Sequence, residues 1–175
     1  MDQAKEKIKT LKKVFKNWGV AKKHNTKLVH LASGIAVVSM KITKNDLTPH
    51  TSETKVLFGG YHPMAANLAG AMGVYSLLEE YEEPLLARAE VEFTEPVVLE
   101  EKAVVATARV AQINYADSKN RPRKKFEALI EISNREGRLK AQVVMFYIAK
   151  PIPLRQKEIS VLRTNAANFF KLPAK

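Results

Sequence analysis

The chain has 175 residues, no cysteine and a formal net charge of +11, long enough to bury the core of one domain. The missing thiols exclude a disulfide framework, thiol catalysis and thiolate metal sites, and a 46% apolar content argues against global disorder. No apolar stretch follows the basic N-terminus to form a secretion signal, so the expected compartment is the cytoplasm. The four histidines (His24, His30, His50, His62) have no paired-ligand spacing, and no metal site is expected.

Residues 3–16 place Ile8, Leu11, Val14 and Phe15 on one stripe among lysines, predicting an amphipathic helix that ends near Asn17-Trp18-Gly19. Strand-like sequence starts by about Ala32, which leaves no room for a second helix and no helix-turn-helix for DNA. Residues 32–43 read as a first strand, with Ala36, Val38, Met40 and Ile42 on one face. A polar loop over 44–54 and a short strand over 55–58 follow.

From Val56 to Leu78 there is no formal charge at all. The run is long enough for a bilayer, but its Gly59-Gly60, Pro63, Asn67 and many small residues predict a glycine turn and then a buried helix. That helix is expected to start at Pro63, where the missing N–H is not needed, and to run to about Glu80. Four strands in an antiparallel meander are expected after the acidic turn at 79–84. They comprise 87–94 (half-buried by its alternation), 102–115, 126–132 and 139–150, with a hairpin turn at Asn134–Gly137. Glu158–Phe170 reads as a tail helix. The expected fold class is α+β, an antiparallel sheet wrapped around one long central helix, with an N-terminal amphipathic helix.

The charge divides the chain. Residues 1–30 carry +7 from nine lysines, residues 150–175 carry +5, and the stretch between them carries −1. The expected organisation is a basic helical extension (1–30), a central domain (31–150) and a basic tail (151–175). Basic termini either keep the chain in solution or meet an anionic partner such as nucleic acid, an acidic carrier protein or a membrane surface. Neither end interleaves aromatic residues as a nucleic-acid motif does.

The glycine turn, pale helix and long antiparallel strands resemble the hot-dog fold superfamily over roughly residues 32–150. Within it, GGYHPMAANLAGAMG (59–73), LARAEVEFTEPVVLEEKAVVATARV (86–110) and GRLKAQVVMFYIAK (137–150) are similar to the malonyl-CoA-binding domain of the bacterial fatty-acid and phospholipid repressor. The repressor's DNA-binding part is absent here. The lysine-rich style and N-terminal helix are also similar to a hot-dog family of Campylobacter-like bacteria produced with flagellar genes, which implies a link to motility or virulence. The resemblance implies a homodimer that binds an acyl thioester, on CoA or acyl carrier protein, at its interface, with no further cofactor.

The resemblance also implies that the thioester carbonyl lies near the helix N-terminus, where free N–H groups and the helix dipole favour negative charge. By position Gly59, Gly60, Tyr61 and His62 would line that entrance, Phe58 and Met64 would touch the acyl chain, and the Asn67 amide would bond the thioester carbonyl or a polar acyl group. Plainer roles are open to the same residues: a tight turn for the glycines, a cap or packing for His62, and a buried backbone contact for Asn67. Arg121, Arg123 and Lys124 form a cationic loop suited to CoA phosphates, unless they are simply solvated. The resemblance implies that hydrolysis would use a carboxylate near the carbonyl, as base or nucleophile. The mid-helix stretch Ala69–Gly73 offers none, so the catalytic candidates are Glu53 and Asp46, in the loop before the helix, together with His62. A non-catalytic acyl-binding sensor is therefore expected ahead of a thioesterase.

Overall fold

The computed structural model describes residues 2–49, 55–79, 82–116 and 122–151. Glu53, Arg121 and the expected helix at 158–170 lie outside them. Three helices, α1 (Asp2–Asn17), α2 (Gly19–Lys23) and α3 (Tyr61–Leu77), accompany eight strands: β1 (Thr26–Ala32), β2 (Ile35–Lys41), β3 (Leu47–Pro49), β4 (Lys55–Leu57), β5 (Glu82–Phe93), β6 (Ala103–Ala116), β7 (Pro122–Ser133) and β8 (Leu139–Pro151). Six strands form one antiparallel sheet in the order β1-β2-β6-β7-β8-β5, and β3 pairs separately with β4.

The pale segment is the axis of this sheet. Helix α3 packs against all six of its strands, so the sheet curls around it and no flank of the helix needs charge. Every second residue of β2, β6, β7 and β8 points inward, including Val38, Val104, Ala108, Phe126, Ile130, Met145 and Tyr147, all buried. The small residues of α3 permit the close approach. A Cβ on Gly73 would stand 2.6 Å from the Val110 Cγ2, and one on Gly70 would stand 2.5 Å from the Tyr147 hydroxyl. Among the described residues, no helix is long and apolar enough to cross a membrane.

Four features differ from the sequence reading. The first strand begins at Thr26, inside the segment expected to be helical, because β1 and β2 form a hairpin through Gly34, whose φ of +71° suits glycine. Helix α3 starts two residues before Pro63, which occupies its third position; there too the N–H has no helical acceptor. The four long strands are not a simple meander, since β5 crosses the sheet to pair with β8 at its edge. No layer covers that edge, so β5 is exposed on both faces except around Val91 and its first three residues, not half-buried throughout.

On α1 the expected stripe faces inward, with Leu11 and Phe15 buried and Ile8 packed on the core. The helix lies across the C-terminal half of α3. Lys7 Nζ donates to the carbonyl oxygens of Ser76, at 3.0 Å, and Leu78. Trp18 meets Tyr75 edge to face.

Candidate functional site

The N-terminus of α3 is its open end. Phe58-Gly59-Gly60 turns the chain from β4 into the helix, and all three residues are exposed. Gly60 takes the N-cap position without a side-chain cap. The first helical N–H groups are partly used, with Tyr61 donating to the Phe58 carbonyl at 2.9 Å and His62 to the Gly59 carbonyl at 3.3 Å. Among the described residues the N–H groups of Gly59 and Gly60 have no acceptor. Two exposed donors at the positive end of a helix form a place for an oxygen bearing partial negative charge.

His62, the second residue of α3, is only 3% exposed, and neither ring nitrogen has a hydrogen-bond partner among the described residues. Its ring meets Phe93 edge to face at 5.2 Å. Burial holds its pKa below the ordinary histidine value, opposed only in part by the nearby Gly59 carbonyl, which neither ring nitrogen meets in hydrogen-bond geometry, so the ring is neutral at neutral pH. A neutral imidazole carries one donor and one acceptor, and leaving both unpaired is costly. Phe58 and Phe93, each 55% exposed, flank this entrance. Gly59 lies against the Phe93 ring, and Gly60 lies so close to Phe58 that an added Cβ would be 2.6 Å away. Met64 and Tyr61 pack partly buried on the core behind them.

Asn67 is the one exposed residue of α3. Its Oδ1 accepts from the Tyr147 hydroxyl at 3.0 Å, and Gly70 leaves the room that this hydroxyl occupies. Tyr147 is otherwise buried, its pKa raised by desolvation, so it stays a donor. With Oδ1 engaged, the amide NH2 is the group left to face outward. The sequence reading does not single out Tyr147; its alternation on β8 marks it as inward, but its meeting with Asn67 and Gly70 is made only by the fold.

Asp46 sits in the 3-10 turn after β2 and already has work. Its Oδ2 accepts from the Thr43 N–H and hydroxyl, both at 2.7 Å. Desolvation opposes its charge, but bonds from the Tyr61 and Thr43 hydroxyls and the Thr43 N–H prevail and keep its pKa below the usual carboxylate value. Such a carboxylate is a weak base. It braces the loop against Tyr61 and thereby the start of α3.

The cationic group is arranged differently from the expected loop. Arg123 and Lys124 lie on β7, because the β6–β7 ladder continues to the Ala116–Pro122 pair. Lys124 bonds Glu79 at 2.6 Å and Glu82 at 3.2 Å, beyond the C-terminus of α3. Seventeen helical residues, about 25 Å, separate it from the glycine entrance. Beyond Phe93 an open cleft of about 460 Å³ is lined by Glu95, Glu101, Asn134 and Lys140. Its buried Lys140 is matched by Glu101 at 2.8 Å and Glu95 at 3.1 Å. Burial opposes the ammonium, but the two carboxylates outweigh it and raise its pKa.

The architecture has close counterparts among solved structures. The Escherichia coli PaaI protein of the phenylacetic acid degradation operon superposes with a TM-score of 0.68 at 19% identity, covering 84% of this chain and 95% of that one. The chain has a hot-dog fold. A variant of the Staphylococcus aureus thioesterase SAV0944 gives 0.65 at 18% identity, over 77% of this chain and 100% of that one. The Haemophilus influenzae thioesterase HI1161 gives 0.62 at 16%, over 83% and 91%. At these identities the likeness establishes the hot-dog architecture alone. No family model matches the sequence, and no curated protein matches it.

Proposed function

We propose that this hot-dog protein binds a fatty acyl thioester, carried by CoA or acyl carrier protein, at the glycine entrance of α3, as a sensor or regulatory module. The observation that carries this reading is the unpartnered, buried His62 ring beside two unused N–H groups at Gly59 and Gly60. Those donors would hold the thioester carbonyl, while Phe58, Phe93 and Met64 would meet the acyl chain. Asn67 stands about 10 Å along the helix from Gly60, too far to share one carbonyl within a protomer. Its outward amide would serve the site of a second copy. The twelve-residue β5, an exposed edge strand with unpaired backbone, would join two copies into one continuous sheet. Lys124, beyond the far end of α3, would reach the CoA phosphates only from a neighbouring site, and Arg121 and Arg123 belong to the same proposed phosphate contact.

Binding without turnover is favoured because α3 carries no carboxylate and Asp46 is committed to Thr43 and Tyr61. The alternative, an acyl-CoA or acyl-carrier thioesterase, is favoured by the similarity to SAV0944 and HI1161, which are thioesterases. It would use Glu53, Asp46 or His62. Relation to the malonyl-CoA repressor domain or to a motility-linked family, a cytoplasmic setting and the division at residues 30 and 150 belong to the same reading. Acyl-CoAs of graded length, mixed with the purified protein, separate the two activities. Because the chain has no cysteine, any thiol that appears is free CoA. Thermal stabilisation that grows with chain length and no thiol release is expected. Thiol release abolished by replacing His62, Asp46 or Glu53 would establish the hydrolase instead.

A further inference from the structure

The exposed face of α1 is lined by Lys5, Lys9, Lys12, Lys13 and Lys16, which surround a shallow groove of about 470 Å³ floored by Ile8. Glu6 is the one acidic side chain described on this helix, and it lies 3.5 Å from Lys9. The charge continues past the helix, through Lys22 and Lys23 on α2 and Lys27 on β1, all exposed. On the same two elements as these last lysines, two aliphatic side chains stand in solvent, Val20 on α2 at 47% and Val29 on β1 at 62% exposure. The opposite edge of the sheet is β5, whose four glutamates are offset in part by its own Arg88 and by Lys124 of β7, which bonds Glu82. The molecule is thus electrically polar across its sheet, with a cationic face at the β1 end.

We propose that this lysine face docks on an anionic phospholipid surface. Three observations favour a lipid headgroup layer over a macromolecular partner. The face is built only of lysines, which are depleted at protein–protein interfaces and, clustered on an amphipathic helix, suit phosphatidylserine-like or phosphatidylglycerol-like headgroups. The aromatic residues of this region point inward, Phe15 being 2% exposed and Trp18 packed on Tyr75, so no platform for stacking bases is offered. The apolar stripe of α1 is already buried on the core, so the helix does not insert but lies flat, its cations in the headgroup layer and Val20 and Val29 at the apolar boundary. The acidic β5 edge is repelled by the same surface and turned away from it. This inference stands whether or not α3 binds a thioester.

Co-sedimentation of the full chain with phosphatidylcholine vesicles, with and without phosphatidylglycerol, tests it. The expected result is partition onto the anionic vesicles alone, weakening steeply as salt shortens the Debye length. The variant Lys9→Gln, Lys12→Gln, Lys13→Gln, Lys16→Gln should lose about 100-fold or more in partition, while the four corresponding Lys→Arg changes should retain it. All four positions are exposed, and an unchanged melting temperature checks that the fold survives. Absence of wild-type partition, or equal partition by the glutamine variant, overturns the proposal. So does loss on neutralising Arg155, Lys157, Arg163, Lys171 and Lys175 in place of the α1 lysines. Binding to an acidic polypeptide or to RNA by a protein that ignores the vesicles also overturns it.

Discussion

At its C-terminal end α3 is closed by its own chain, while at its N-terminal end the same helix is left open. Lys7 donates to the Ser76 and Leu78 carbonyls, the Ser76 hydroxyl donates to the Gly73 carbonyl at 2.5 Å, and the Gly34 N–H donates to Ser76 Oγ at 2.8 Å. At the other end two N–H groups and both nitrogens of His62 have nothing to bond among the described residues. Stability alone would have satisfied both ends in the same way. The asymmetry separates a scaffold end from a site end, and substitutions at the two should fall on different observables.

The largest effects on stability belong to the closed end. Ser76→Ala strands the buried Gly34 N–H and should cost about 1–3 kcal/mol by denaturant unfolding, with Lys7→Met losing somewhat less, about 1–2 kcal/mol. Neither should change acyl-CoA affinity; a large affinity loss in either would blur the division. Tyr147→Phe lies between the two ends. It removes one hydrogen bond, about 1 kcal/mol, and frees the Asn67 amide to flip. Acyl-CoA binding should weaken several-fold, and a loss of stability with affinity intact would make Tyr147 purely structural.

The smallest effect on stability belongs to the open end. His62→Leu removes a buried unpaired ring, so stability at neutral pH should hold or rise by about 1 kcal/mol, while thioester binding collapses. The variant also changes the pH profile. In the wild type the unfolded histidine takes up a proton below pH about 6.5, whereas the folded ring, with its lowered pKa, resists protonation. The unfolded state then holds more protons, and stability falls as pH drops below that value. In His62→Leu this contribution should vanish, leaving carboxylates such as Asp46, whose lowered pKa confers stability that fades only under stronger acid. Melting temperatures between pH 7 and 5 for both proteins check this.

Much of this asymmetry can be read along the chain. The uncharged stretch at 56–78 marked the central helix because a helix enclosed by a sheet needs no polar face, and Gly59-Gly60 marked its entrance. Period-two alternation separated the two faces of β2, where Ala36, Val38 and Met40 are buried, but the same pattern misread the exposed β5 as half-buried. Local pattern could not reveal that β5 leaves its chain neighbours for the sheet edge, since strand order is a long-range choice. The hairpin at 26–41 was half-hidden because its first strand, TKLVHLA, mixes charge with apolar residues at a sheet edge. Asp46 looked like a free carboxylate; its duty to Thr43 depends on a turn three residues long. The partnership of Tyr147 with Asn67 joins residues eighty apart, which no spacing rule detects.

The central claim is that the open end of α3 polarises a thioester carbonyl without cleaving it. Infrared difference spectroscopy of an acyl-CoA labelled with carbon-13 at the thioester carbonyl reads that bond directly. The expected result is a carbonyl band shifted to lower frequency on binding, stable over time, and absent with His62→Leu. An unshifted band on the bound ligand, or a band that decays as free thiol appears, would contradict it.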